Sequence, residues 1–298
     1  MIFEAKVLIT SFVTSIILGL IIIPILKKLK VGQIERDDGP QSHLKKQGTP
    51  TMGGIIIIIT MILVVTGTYI FLTMQGENEL SHKLLPILLL TIGFGLIGFI
   101  DDFKKLVLKN TEGLKPSYKM IGLLIISVAY VIYLVYGLNI GTETYIPILK
   151  TYINLPIYLY IPFAIVVILG ATNAINLTDG IDGLSSSVCA IIITCLAVIG
   201  ISLQVYEVSI FASIVIGAVL GFLMFNIHPA KVFMGDTGSL MLGGVISGLA
   251  LYLKMPLLLI VIALVPVLET LSVIIQVVYF KKTGNRFFKM APLHHHFE

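Results

Sequence analysis

Apolar residues run along this chain in long blocks of similar length, separated by short polar segments. Runs of about 17 to 25 apolar residues are long enough to cross a bilayer as α-helices, and about nine are legible. They lie at 7–26, 53–73, 84–100, 117–137, 157–175, 185–203, 208–226, 239–253 and 256–280. One segment departs from this pattern: "GLNIGTETYIPILKTYINLPIY" is rich in β-branched and aromatic residues and predicts a short hairpin. The expectation is an all-α polytopic membrane protein, with 1–298 forming a single integral-membrane domain.

Composition agrees with the pattern. The chain is 57% hydrophobic and only 12% charged, where soluble domains hold about a quarter charged residues, and its mean hydropathy is +1.02. The first apolar block has no small-residue cleavage site and no basic flank before it, so it reads as a retained helix rather than a signal peptide. Cys189 and Cys195 lie six residues apart in one block. Helical geometry points them to different faces, which predicts two free thiols.

Charge sets the orientation. Lys and Arg concentrate in the 27–52 loop, the 101–119 loop, at Lys231 and in the tail after residue 280; these alternate loops hold 16 of the 20 basic residues. The other four, Lys6, Lys83, Lys150 and Lys254, fall on the opposite side. The basic side is therefore expected to be cytoplasmic, with the N-terminus outside and the tail inside.

The unusual polar segments share the basic side. They are "DDGPQSHLKKQGTPTMGG", "DDFKK", "NAINLTDGIDG", "NIHPAKVFMGDTGS" and the C-terminal "APLHHHFE". A one-sided cluster of acids, amides, lysines and histidines suggests a reaction centre at a membrane surface, whereas transporters keep such groups near the midplane.

Each segment admits two readings. Asp101 and Asp102 end a span where the helix dipole disfavours anions, so they call for a metal or for the lysines that follow, or else form a solvated helix end. Asn173, Asn176, Asp179 and Asp182 are spaced by three. They present a row of oxygen donors if helical, or a capping turn if not. Asp236 stands in a glycine-rich helix start suited to phosphate; it fits a hard cation such as Mg²⁺ or a plain N-cap. Lys45 and Lys46 suit phosphates or merely follow the orientation rule. Glu269, three residues after Pro266 inside a span, is either a functional acid or a hydrogen-bonding group within a kinked bundle. "GFGLIG" at 93–98 imitates a dinucleotide fingerprint but has no strand before it. It is read as small residues for helix contact, like Gly217/Gly221 and Gly244/Gly248. The three histidines 294–296 are half a purification tag's length and follow a basic segment directly.

Taken together, the five polar segments resemble the motifs of the bacterial phospho-N-acetylmuramoyl-pentapeptide transferases, in the same order, from about residue 20 to the end. The Asp-rich segments are shared with the wider superfamily of polyprenyl-phosphate N-acetylhexosamine-1-phosphate transferases, while "GTPTMGG" and "PLHHHFE" resemble the muramoyl-pentapeptide branch. The resemblance implies transfer of phospho-MurNAc-pentapeptide from its UDP carrier to undecaprenyl phosphate, giving lipid I and UMP with Mg²⁺, at the bacterial cytoplasmic membrane.

Carried over by position, it implies catalytic roles for Asp101, Asp102, Asp236 and His294. Asp236 is then a metal ligand, with Asn176 as a second. Substrate contacts fall to Lys46, Thr51, Lys105, Lys119, Asn173, Asn176, Asp179, Asp182, Asn226, Phe233, Gly235, Ser239, Gln276 and His295. The partners implied are the UDP-linked donor, the polyprenyl phosphate, the bilayer and a second copy as homodimer, with no nucleic acid. In that family a final membrane helix, the tenth, follows the histidine motif, whereas this sequence stops at Glu298. Two rivals stand beside this reading: a sibling transferase using UDP-N-acetylglucosamine, and a transporter or flippase gated by Glu269.

Overall fold

The computed structural model describes residues 2–29, 48–106 and 113–297. It is a helical bundle. In chain order the helices are α1 (Ile2–Lys28), α2 (Gly54–Met74), α3 (Asn78–Lys83), α4 (Leu85–Leu106) and α5 (Pro116–Ile132), which runs on as a π-helical turn, Tyr133–Gly137. The strands β1 (Glu143–Ile146) and β2 (Thr151–Asn154) follow. Then come α6 (Ile157–Thr178), α7 (Leu184–Ser202), α8 (Tyr206–Asn226), α9 (Gly235–Tyr252), a 3₁₀ turn (Pro256–Leu258), α10 (Leu259–Ile262), α11 (Leu264–Thr283) and α12 (Leu293–Phe297).

Among the described residues, eight helical segments are long and apolar enough to cross a membrane. The remaining expected span, 239–253, is α9. It falls outside that set because glycine and serine dilute its apolar residues, and it is enclosed by its neighbours, with every residue from Thr237 to Tyr252 buried. The last expected span, 256–280, is not one rod. The helix breaks at Ala263 (φ −103°, ψ 34°), just before Pro266 in the first turn of α11, where a proline lacks the N–H that would extend a helix backwards.

Small residues let the helices approach closely, as packing in lipid requires. Ser11 and Ser15 of α1 donate to the carbonyls of Ile214 and Ala218 on α8 at 2.6 and 2.8 Å. A Cβ added at Gly221 would stand 2.7 Å from the Phe12 carbonyl oxygen. Gly98 of α4 lies against the backbone of Asp236, and Gly54 of α2 against Gly238. "GFGLIG" is thus a helix-contact surface. Cys189 and Cys195 are both free, as expected.

The predicted hairpin is present as an antiparallel pair with Tyr145 opposite Tyr152. It is fixed to one end of the bundle, where Tyr145 N–H donates to the Lys254 carbonyl and Lys254 pairs with Glu143 at 2.7 Å. The polar segments gather at the other end.

Candidate active site

The centre of that polar end is the first turn of α9. Gly235 takes a left-handed backbone (φ +73°), and a Cβ there would meet Asp102 Oδ2 at 2.7 Å and Thr51 Oγ1 at 3.0 Å. Asp102, 5% exposed, accepts the backbone N–H groups of Asp236 (3.2 Å) and Thr237 (2.9 Å) and the Thr237 hydroxyl (2.6 Å). An acid on α4 therefore satisfies the open N–H groups that begin α9, where a negative charge also meets the positive end of the helix dipole. This leaves Asp236 without a capping task.

Asp236 instead faces two lysines. Its Oδ2 lies 2.9 Å from Lys119 Nζ and 3.1 Å from Lys105 Nζ. Both lysines also reach Asp101 Oδ2, at 2.7 Å from Lys105 and 3.5 Å from Lys119. Asp101 is held further by the Leu114 N–H at 2.7 Å. Asp236 Oδ1 accepts the Asn176 amide at 2.8 Å, and that amide also meets Ser239 Oγ at 2.8 Å.

Asp179 follows the last residue of α6. Burial first, then the charges of Asp236 and Asp102, push its carboxyl up to about 7, although the Gly235 N–H favours its ionised form. Asp179 keeps some surface exposure, but crowding by protein atoms removes its carboxyl from bulk water. Four acids, Asp101, Asp102, Asp179 and Asp236, thus share a region with two lysines.

The expected donor row is only partly a row. Asn173 turns back to its own helix, donating to the Leu169 carbonyl at 2.7 Å. Helix α6 ends at Thr178, so Asp182 leaves the row; it accepts the Ala230 N–H at 3.1 Å and lies 3.0 Å from His228 Nδ1. Asn226 is buried and ties Ser186 (2.7 Å) to the Val232 carbonyl (3.0 Å). Gln276 Oε1 accepts the N–H groups of Phe287 and Phe288 at 3.1 and 2.8 Å, fixing the tail. Asn226 and Gln276 thus bond to neighbouring segments and not to the acid–lysine cluster. Phe233 bridges to the 50–53 loop, its N–H to Pro50 and its carbonyl to Gly53, both at 2.8 Å. His294 packs over Gly180, next to Asp179, and the His295 ring lies 4.2 Å from its own. Lys46 lies outside the described residues. Thr237 and Leu114 were not anticipated as site residues; Thr237 was visible in "GDTGS", but its partner lies 135 residues away.

Among the described residues, no three His, Cys, Asp or Glu side chains converge at metal-ligand spacing. Mg²⁺ takes one or two carboxylates, keeps waters and draws further oxygens from phosphates, and the Asp236 carboxylate with the Asn176 amide beside it is a donor set of that kind. Asp236 fits as such a ligand. Asn176 offers Oδ1 after a half-turn of its amide.

An apolar groove of about 340 Å³ runs between α6 and α11, lined by Val167, Gly170, Ala174, Ile260, Pro266 and Thr270 among others. Ala174 places one end of it within a helical turn of Asn176.

Residues 84–254 match the glycosyl transferase family 4 profile, and residues 46–58 match signature 1 of the phospho-N-acetylmuramoyl-pentapeptide-transferases. A phospho-N-acetylmuramoyl-pentapeptide-transferase of Clostridium botulinum (strain Alaska E43) is 51% identical over 292 residues, covering 98% of this chain and 86% of the relative. That of Halalkalibacterium halodurans is 50% identical over 98% of this chain and 87% of its own length. That of Bacillus subtilis is 48% identical over 97% and 87%. With its acids, lysines and glycines assembled at one end of a membrane bundle, and relatives alike along nearly its whole length, the chain belongs to the phospho-N-acetylmuramoyl-pentapeptide-transferase family.

Proposed function

We propose that this chain transfers phospho-MurNAc-pentapeptide from its UDP carrier to undecaprenyl phosphate, releasing UMP and forming lipid I, at the cytoplasmic face of the bacterial membrane. The observation that carries this reading is the pairing of Asp101 and Asp236 with Lys105 and Lys119 beside a glycine-rich helix start. Cleaving a pyrophosphate by attack of a lipid phosphate oxygen builds charge on phosphoryl oxygens, and catalysis rests on positioning and neutralising that charge.

Lys105 and Lys119 hold the diphosphate, exchanging Asp236 and Asp101 for substrate oxygens. The backbone at Gly235 lets an anion come close to the first turn of α9. Asp236 with Asn176 would hold Mg²⁺, which would supply further charge neutralisation at the phosphoryl oxygens and at departing UMP. Asp102, engaged by three donors, keeps that first turn in place. His294 closes the side of the site over Asp179. The groove between α6 and α11 suits a polyprenyl chain lying in the membrane with its phosphate near Asn176.

The test is UMP release by the detergent-solubilised chain with undecaprenyl phosphate, Mg²⁺ and either UDP-MurNAc-pentapeptide or UDP-N-acetylglucosamine. Release from the first donor only is expected. Release only from the second would assign the chain to the sibling chemistry. Flux across sealed vesicles without nucleotide cleavage would favour a transporter.

A further inference from the structure

Glu269 is a buried acid, 5% exposed, inside a membrane helix and outside the acid–lysine cluster. Its Oε2 meets one residue twice. It accepts the backbone N–H of His294 at 3.2 Å and lies 3.2 Å from Nδ1 of the same histidine. His294 is itself 7% exposed. The other ring nitrogen, Nε2, faces Gly180, where an added Cβ would meet it before any other atom. Gly180 directly follows Asp179, so the contact continues from α11 through the histidine to the turn that ends α6.

The rest of the tail is held from the same helix. Gln276, seven residues after Glu269 and so close to the same face, accepts two N–H groups where the tail turns back, and Glu269 accepts where α12 begins. Two acceptor side chains on α11 thus fix both ends of the largely half-buried stretch from Phe288 to His294. A carboxylate 3.2 Å from Nδ1 favours a proton on that nitrogen, and which imidazole nitrogen carries the proton decides what the other presents. A carboxylate at Nδ1 therefore sets how Nε2 meets the site.

Resting on the transferase reading above, we propose that Glu269 is a positioning residue for that reaction: it docks the tail and aims the His294 ring at the Asp179–Gly180 turn. It touches no substrate and acts only through the histidine.

The test is a double-mutant cycle in the full chain, read as UMP release with UDP-MurNAc-pentapeptide, undecaprenyl phosphate and Mg²⁺. Glu269→Gln keeps an oxygen for the His294 N–H but loses the charge facing Nδ1. It should lower kcat about tenfold, the scale of one polar contact to a charged group, with KM for the donor within about twofold. In a His294→Ala background the same change should alter kcat less than about twofold, because coupled residues are not additive. An equal loss in both backgrounds, or a Glu269→Gln protein with wild-type kcat, would overturn the proposal. A second readout needs no activity. Glu269→Ala should speed trypsin cleavage at Arg286 and Lys289 while Glu269→Gln should not, and an unchanged rate in Glu269→Ala would overturn the docking role. A wild-type chain that releases no UMP would sink the transferase reading, and the trypsin comparison would then decide the docking role alone.

Discussion

Lys119 Nζ stands 2.9 Å from Asp236 Oδ2 and 3.5 Å from Asp101 Oδ2, although 117 residues separate it from Asp236. Lys105 repeats the arrangement from the neighbouring helix. Each lysine contacts two acids from different helices, so the cluster locks α4, α5 and α9 together as well as collecting charge. Arriving phosphates find the cations already in place, which lowers the cost of organising the site.

Asp236→Asn keeps shape and volume but removes one negative charge. The rival N-cap role predicts a near-normal protein, since asparagine caps about as well as aspartate, and here the capping acceptor is Asp102. Losing about 4 kcal/mol of transition-state stabilisation would slow turnover about a thousandfold. UMP release measured against Mg²⁺ concentration, at matched folded amounts, checks this. Near-native rates with an unchanged Mg²⁺ midpoint would remove Asp236 from the metal site.

Asp102→Asn tests whether that acid supports structure or acts as a base. An amide supplies one acceptor oxygen where a carboxylate now serves three donors, so folding stability should fall by about 2 kcal/mol. Thermal melting in detergent should show a loss of several degrees alongside reduced turnover. An unchanged melting curve, with the pH–rate profile losing its acid limb, would instead make Asp102 the base.

Gly98 and Gly93 share the same motif but meet different neighbours. A Cβ at Gly98 runs into the backbone of Asp236, which cannot move without displacing the site, whereas one at Gly93 meets the flexible end of Ile126 at 3.0 Å. Gly98→Ala should cost about 1–3 kcal/mol by overpacking and lower turnover. Gly93→Ala should melt close to wild type. Equal melting of the two variants would contradict the helix-contact account of "GFGLIG".

Orientation is open to labelling in a background where Cys189 and Cys195 are replaced by alanine. A cysteine at exposed Thr283 should react only with reagent on the cytoplasmic side, and cysteines at Asn78 and Thr142 only from outside. Thr283 labelling from the same side as Asn78 would break the assignment of the site to the cytoplasmic face.

The helices, the hairpin and the polar side were legible in the sequence because each rests on local information. An unbroken apolar run specifies a span by length alone, and alternating β-branched and aromatic residues specify a strand. Grouping of the motifs at one end followed from alternating loops, and the structure agrees where Gly53 meets Phe233 and Asn176 meets Asp236. The family was legible too, because five separate motifs each retain their residues in order.

Partnership was not legible, because it depends on which helix faces cross. In the sequence Asp236 was equally a cap and a ligand; only the approach of α4 to α9, allowed by Gly98, gives capping to Asp102 and frees Asp236 for the lysines. Asn173 to Asp182 read as one row by spacing, but the end of α6 at Thr178 sends Asp182 to His228 and Ala230. Glu269 read equally as a functional acid or as a hydrogen-bonding group in a kinked bundle, and only the fold of the tail brings His294 beside it. A sequence fixes the order and chemistry of its side chains along one dimension. Which carboxylate meets which donor is decided by close packing in three, where a single missing Cβ sets the distance between two helices.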